Sequence, residues 1–317
     1  MPKRPKLFDR SAEFEILHAF LSKKRFGMEE TMKPVDLHTH SCKSDGSYTP
    51  AQLVDYAVSK RLSAVALTDH DTIDGLDEAI SHARALAAAG RPSVEVVPGI
   101  EFSTEYEKKD VHILGLYISH ASPVFRQKLD EFVNSRINRN IRMCQNLQDA
   151  GIDITFEKLQ ARNPGAVITR AHYASYLLED GYVKSRQDAF SQYLGDHTKY
   201  FVPREKVSPA QAVALILAAG GIPVLAHPPL YHMEQDRLDR LTASLKDAGL
   251  MGIEAFYSSY TNQDERDMRR LAGKYGLLLS GGSDFHGTNK PGLDLGTGYG
   301  KLFVPEELLE QIRQRRR

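Results

Sequence analysis

From Pro34 onward, short apolar runs alternate with longer stretches of helical period. Residues 35–37, 64–67, 94–100, 112–118, 223–226, 252–256 and 277–280 read as buried strands. Helix signals fall between them. Thr49-Pro50-Ala51-Gln52 combines a capping threonine, a proline at the first helical position and a glutamine that can reach back to the cap. It predicts a helix to about residue 60, and Ser208-Pro209-Ala210-Gln211 repeats the signal ahead of Gly220-Gly221. Further helices are predicted over about 76–89, ending at Gly90, and over 305–317. Such alternation predicts an α/β fold with a parallel sheet, open or closed into a barrel.

Two stretches break the rhythm. Residues 11–26 read as an amphipathic helix with Phe14, Leu17, Phe20 and Leu21 on one side, so residues 1–31 form a predicted N-terminal extension. Within 119–204 the spacing of Leu129, Val133, Ile137, Ile141, Cys144 and Leu147 predicts a long helix, and a second is predicted over about 170–179. The expected organisation is an extension (1–31), a first barrel part (32–118), a helical insertion subdomain (119–204) and a second barrel part (205–317).

Composition narrows the chemistry. Of 317 residues, 41% are apolar and 26% charged, which suits a packed core. Lys+Arg and Asp+Glu are 41 each, so no global positive field favours long DNA. No apolar run is long enough for a membrane span. The two cysteines, Cys42 and Cys144, suit a reducing cytoplasm and leave no thiolate zinc site. The twelve histidines invite a search for metal.

Four clusters answer that search. Asp36-Leu37-His38-Thr39-His40 carries two histidines at alternate positions, which share a strand face, with Asp45 just beyond. Thr68-Asp69-His70-Asp71 follows the strand at 64–67, and Glu101 follows that at 94–100, with His112 starting the next. Ala226-His227-Pro228 and Gly282-Ser283-Asp284-Phe285-His286 follow later strands. In a parallel barrel the carboxyl ends of the strands share one rim, where active sites are built. A single histidine after a strand is ordinarily structural, and an aspartate there is ordinarily a helix cap. Joint placement changes the balance, whereas His18, His82, His120, His197 and His232 lie on helical or loop stretches and read as surface or satisfied residues. Six histidines (His38, His40, His70, His112, His227, His286) and three carboxylates (Asp45, Glu101, Asp284) are too many for one ion and suit two or three. Nitrogen and oxygen donors without thiolate favour Zn, Mn or Fe over Ca or Mg.

At these residues the chain resembles the PHP family, named for polymerase and histidinol phosphatase, whose four motifs match the clusters around His38, His70, His227 and Asp284. The resemblance implies a distorted seven-stranded (β/α) barrel with a trinuclear metal centre. It implies one ion on His38, His40, Glu101 and Asp284, a second on Glu101, His112 and His227, and a third on Asp45, His70 and His286, with manganese the foremost metal. Asp45 stands where many members have histidine, which resembles the subgroup of 3′,5′-nucleotide bisphosphate phosphatases and 5′-to-3′ trimming ribonucleases. The helical insertion and Thr169-Arg170-Ala171-His172 resemble the same subgroup.

The expected activity is removal of the 3′-phosphate from a nucleoside 3′,5′-bisphosphate by attack of a metal-bound hydroxide, with Asp45, His70 and Glu101 assigned to catalysis. A 5′-to-3′ exoribonuclease acting on short 5′-phosphorylated RNA is the alternative at the same site, and a non-catalytic binding module is a third reading. Asp45 disfavours histidinol-phosphate phosphatase. The expected partner is thus a small nucleotide or short oligoribonucleotide, with no membrane and no long DNA. A bisphosphate needs a second anion site, for which Ser135, Arg136, Asn138 and Arg139 on the first insertion helix, and Arg170 and His172 on the second, are the candidates. A solvated helix face is the competing reading for Arg136 and Arg139. His172 or a metal-bound water could protonate the leaving oxygen. Asp69 and Asp71 could orient His70 or cap helices, and Tyr173 and Phe201 could stack on a base or belong to the insertion's own core.

Overall fold

The computed structural model describes residues 33–203 and 208–316, so the helix expected over 11–26 lies outside the described residues. Seven strands form one sheet in chain order: β1 (Val35–Thr39), β2 (Ala64–Leu67), β3 (Glu95–Tyr106), β4 (Lys109–Leu116), β5 (Ile222–Leu225), β6 (Gly252–Tyr257) and β7 (Leu278–Gly282). The backbone just past β7 returns to β1. The Asp284 N–H donates to the His38 carbonyl at 2.8 Å and the His40 N–H to the Phe285 carbonyl at 2.9 Å, so the barrel nearly closes.

The sheet is not wholly parallel, which corrects the expectation. β1, β2 and β3 are parallel, as are β5, β6 and β7, but β4 runs antiparallel to both of its neighbours. The cause is a two-residue hairpin. Tyr106 pairs with Lys109, and the intervening Glu107 and Lys108 hold φ of 48° and 65°. Tight hairpin turns of this kind need positive φ at both positions and normally announce themselves with Asn or Gly. The reversal also explains how His112, near the start of its strand, reaches the rim formed by the carboxyl ends of the others. Glu101 lies within a 12-residue strand, not past the end of one.

Helices α1 (Pro50–Ser59) and α2 (Leu76–Ala88) follow the first two strands. The capping box of Thr49 and Gln52 opens α1, as read from the sequence. The insertion holds α3 (Pro123–Gln148), α4 (Phe156–Arg162), α5 (Arg170–Glu179) and the short α6 (Arg186–Ala189), which widens into a π turn over Phe190–Leu194. Then come α7 (Pro209–Ala218), with the box of Ser208 and Gln211, α8 (Gln235–Asp247), α9 (Asn262–Tyr275) and α10 (Glu306–Arg315). None of the helices among the described residues is long and apolar enough to cross a membrane.

Three apolar cores hold this together. Leu53, Leu76, Ile113, Ile216 and Leu245 belong to one built between the strands and the surrounding helices. Leu37, Val97, Leu114 and Val224 pack with Leu309 and Ile312 of α10 in a second. Met143, Leu147, Leu159, Tyr173 and Leu177 belong to a third, made from the insertion alone. Tyr173 is fully buried there and its hydroxyl donates to the Asn140 carbonyl at 2.7 Å, which removes it from base stacking.

Candidate metal centre and substrate cleft

Glu101 stands at the middle of the site. Its Oε2 lies 3.2 Å from His38 Nε2, 3.2 Å from His40 Nε2 and 3.1 Å from His70 Nδ1. Its Oε1 lies 2.9 Å from His112 Nδ1 and 3.1 Å from His227 Nε2. Asp284 Oδ1 is 3.1 Å from His40 Nε2 and 3.5 Å from His38 Nε2. On the other side, Asp45 Oδ1 is 3.1 Å from His286 Nε2, and Asp45 Oδ2 is 3.9 Å from His70 Nε2. All nine donors singled out in the sequence therefore meet at one rim, in overlapping groups whose ligand atoms lie within 4.8 Å of one another. His70 faces both ways, one ring nitrogen toward Asp45 and the other toward Glu101.

The donor set fits divalent cations on an observation of the fold itself. The buried Nε2 atoms of His38 and His40 and Oδ1 of Asp45 have no hydrogen-bond partner, although they approach neighbouring donors closely. Buried polar atoms are almost always satisfied, and atoms left this way mark an ion or water. Burial works against charge here, yet the surrounding imidazoles, with His112 Nδ1 in hydrogen-bond contact at 2.9 Å, hold Glu101 well below the usual carboxylate range. Burial pushes His70 down to about 3, so its neutral ring presents a lone pair.

Supporting groups fix which nitrogen faces inward. Glu254, on β6, accepts from His38 Nδ1 at 3.0 Å through Oε1 and from the His227 N–H at 2.7 Å through Oε2. A ring that donates from Nδ1 keeps its Nε2 lone pair for the site. His286 Nδ1 likewise lies 2.8 Å from the Asp284 carbonyl oxygen, leaving Nε2 toward Asp45. Glu254 was missed from the sequence, where its one signal is a lone acid inside the apolar run Gly252-Ile253-Glu254-Ala255-Phe256. Asp69 accepts from the Ser41 N–H at 2.7 Å and from the Ser41 and Ser44 hydroxyls at 2.6 Å each, so it pins the loop after β1. Asp71 accepts from Arg136 Nε at 2.7 Å and from the Ser103 N–H at 3.1 Å. His70 is instead flanked by the Ser103 hydroxyl, 3.3 Å from its Nδ1. His227, Asp284 and Asp71 hold φ of 30°, 57° and 51°, sparsely populated values for residues with side chains, as often found where a site dictates the backbone.

Seven of the nine donors, all but the fully buried His38 and His40, floor a cleft of about 490 Å³ roofed by the insertion. Arg136, Arg139, Arg170 and Arg186 line it together with Lys290. Arg136 and Arg139 are buried, so the solvated-face reading fails for both, but the Arg136 fork is engaged by Asp71 and by the Ser103 hydroxyl at 2.6 Å. Arg170 pairs with Asp110 and donates through Nη1 to the Leu194 carbonyl at 3.1 Å. Ser135 and Asn138 do not line the cleft, and Asn138 is exposed, because they project from other sides of α3. His172 is buried and does not line it either. Its Nδ1 accepts the Thr169 N–H at 2.9 Å as part of the capping box of α5, so it serves the helix start and not a proton transfer into the cleft. Two residues with no role of their own in the sequence also belong here: the Thr169 hydroxyl donates to Asp45 Oδ2 at 2.8 Å, and Lys290 Nζ lies 2.5 Å from Asp284 Oδ2.

A near-closed α/β barrel that gathers six imidazoles and three carboxylates at one mouth defines a hydrolytic metalloenzyme. The chain matches the PHP domain family over residues 36–268 and belongs to it. It is 36% identical over 267 residues to the 3′,5′-nucleoside bisphosphate phosphatase of Chromobacterium violaceum, covering 84% of this chain and 91% of that one. It is 36% identical over 254 residues to the 5′-3′ exoribonuclease of Haemophilus influenzae, covering 80% and 90% respectively. The solved structure of an amidohydrolase from C. violaceum, with bound sulfate and no metal, superposes with a TM-score of 0.76 at 32% identity, covering 89% of this chain and 96% of that one.

Proposed function

We propose that this chain hydrolyses the 3′-phosphate of nucleoside 3′,5′-bisphosphates, such as adenosine 3′,5′-bisphosphate, and leaves the 5′-monophosphate. The observation that carries this reading is one cleft with two regions suited to anions, the donor floor through the cations it would hold and the arginines of the insertion. By the family resemblance His38, His40, Glu101 and Asp284 would hold one ion, Glu101, His112 and His227 a second, and Asp45, His70 and His286 a third; the donor groups in the structure overlap this division, with His40 also beside Asp45, His70 and His286, and His70 also beside Glu101 and His112. Nitrogen and oxygen donors without thiolate suit Mn, Fe or Zn, and we favour Mn. Such ions supply Lewis acidity at the phosphoryl oxygens and lower the pKa of bound water.

The chain's own residues do the rest. Glu254 holds His38 and His227, and Thr169 holds Asp45, so the floor is preorganised. Arg170, fixed by Asp110 and the Leu194 carbonyl, and Arg139 beside it face the second phosphate. Lys290 adds positive charge next to Asp284, where the transferring group would sit. The same cleft supports release of mononucleotides from the 5′ end of short 5′-phosphorylated RNA, favoured by the likeness to the exoribonuclease and by Arg186 as a further cation along the cleft. Cys42 and Cys144 are free, in keeping with a reaction in the cytoplasm.

The test is incubation with Mn²⁺ and, separately, adenosine 3′,5′-bisphosphate, histidinol phosphate and a short 5′-phosphorylated RNA. Release of inorganic phosphate from the bisphosphate is expected, and release of mononucleotides from the RNA would establish the second activity. Silence on all three with metal demonstrably bound would leave a non-catalytic module. Arg170→Ala is expected to raise KM for the bisphosphate about 10- to 100-fold more than KM for an aryl phosphate, the worth of a lost charged hydrogen bond. Equal losses on both substrates would refute its role at the second phosphate.

A further inference from the structure

Charge alone does not account for the cleft. Among the described residues seven large apolar side chains are exposed, and two of them, Phe190 (36%) and Leu230 (40%), line this cavity beside its charged residues. A substrate made only of phosphate and sugar would have no use for them. Exposed apolar surface inside a cleft of converging charges matches a ligand with an apolar part of its own.

Phe190 begins the π turn that follows α6, and such widened turns recur at functional sites. Its neighbours Ala189 and Leu194 are fully buried, so the insertion's core is complete without the Phe190 ring. The Arg170 guanidinium lies 5.8 Å from the centroid of that ring and 5.4 Å from that of Phe201. A cationic fork and an aromatic plane therefore share one patch of wall. Leu230 belongs to the short turn Pro228–Tyr231, directly after the donor His227, where Pro228 and Pro229 limit backbone freedom.

We infer that Phe190 and Leu230 form a nucleobase subsite, with the base stacked on Phe190 and flanked by Leu230 while its phosphates reach Arg170 and the metal-donor floor of the cleft. The inference rests on the nucleotide reading above and adds the part of the substrate that the charged residues cannot recognise. Stacking uses the π face that every base has, so discrimination among the four bases is expected to be weak.

The experiment compares adenosine 3′,5′-bisphosphate with base-free ribose 3,5-bisphosphate as substrates of the Mn²⁺-loaded full chain, and adenosine 5′-monophosphate with ribose 5-phosphate as calorimetric ligands. Both side chains are exposed, so Phe190→Ala and Leu230→Ala should fold. Phe190→Ala is expected to raise KM and Kd for the adenosine compounds about 10- to 100-fold, to leave the base-free compounds within about twofold, and to leave kcat nearly unchanged. Phe190→Tyr, which keeps the ring, should restore tight binding. Equal losses on adenosine and base-free ligands, or no loss on either, would overturn the subsite. Phe190-dependent adenosine monophosphate binding without hydrolysis of any bisphosphate would instead sink the proposed reaction and leave the subsite standing.

Discussion

Replacing Glu101 by glutamine is expected to lower kcat about 1000-fold or more. The two oxygens of Glu101 approach five imidazoles, so this one carboxylate would belong to two ion sites and also touches His70 of the third. Glutamine fills the same volume but presents one neutral oxygen and an N–H₂ that cannot bind a cation. Losing about 4 kcal/mol of charge stabilisation corresponds to that rate factor. Metal content should fall with the rate, by at least one ion per chain, because Glu101 contributes to the affinity of two groups at once. The check is metal analysis of the purified variant beside its turnover, with circular dichroism to establish that the fold persists. A variant with the full metal complement and unchanged turnover would remove Glu101 from the centre of the account.

Replacing Arg136 by alanine is expected to destabilise the protein by about 3–5 kcal/mol, a loss chemical denaturation would read directly. Arg136 is 3% exposed and reaches from α3 in the insertion to Asp71 beside His70 in the barrel. Its removal leaves a fully buried Asp71 carboxylate without its guanidinium, and the desolvation cost of that charge dominates the effect. Arg136→Lys should recover part of the loss, since a point charge replaces a fork that serves both Asp71 and the Ser103 hydroxyl. Combining Arg136→Ala with Asp71→Asn should cost less than the sum of the two single changes, because neither charge is then stranded. Strict additivity would show that the pair does not couple insertion to barrel.

Much of this was legible in the chain because it is written in local chemistry. The capping boxes at Thr49 and Ser208 depend on residues three apart, and both formed as read. The donors could be found because strand ends are apolar runs followed abruptly by histidine or acid. What stayed hidden depends on contacts far apart in sequence or on backbone choices that residue type does not announce. The reversal of β4 rests on Glu107 and Lys108 in the left-handed region, with no glycine to signal it. Glu254 looked like an oddity in an apolar strand until the fold set it 3.0 Å from His38 Nδ1, 216 positions away. For Arg136 the sequence leaves a phosphate ligand and a solvated helix face both open, because nothing local tells a helix face turned to solvent from one turned to Asp71. His172 matched a subgroup motif and turned out to support Thr169, which in turn holds Asp45.

Anomalous diffraction from crystals grown with Mn²⁺ and adenosine 5′-monophosphate tests the central claim most directly, since it locates ions and nucleotide together. Anomalous peaks are expected within about 2–2.3 Å of His38, His40 and Asp284 on one side of Glu101 and of His112 and His227 on the other. The nucleotide phosphate is expected bound beside them. Nine donors that hold their positions around a region without any anomalous peak, at saturating metal, would contradict it.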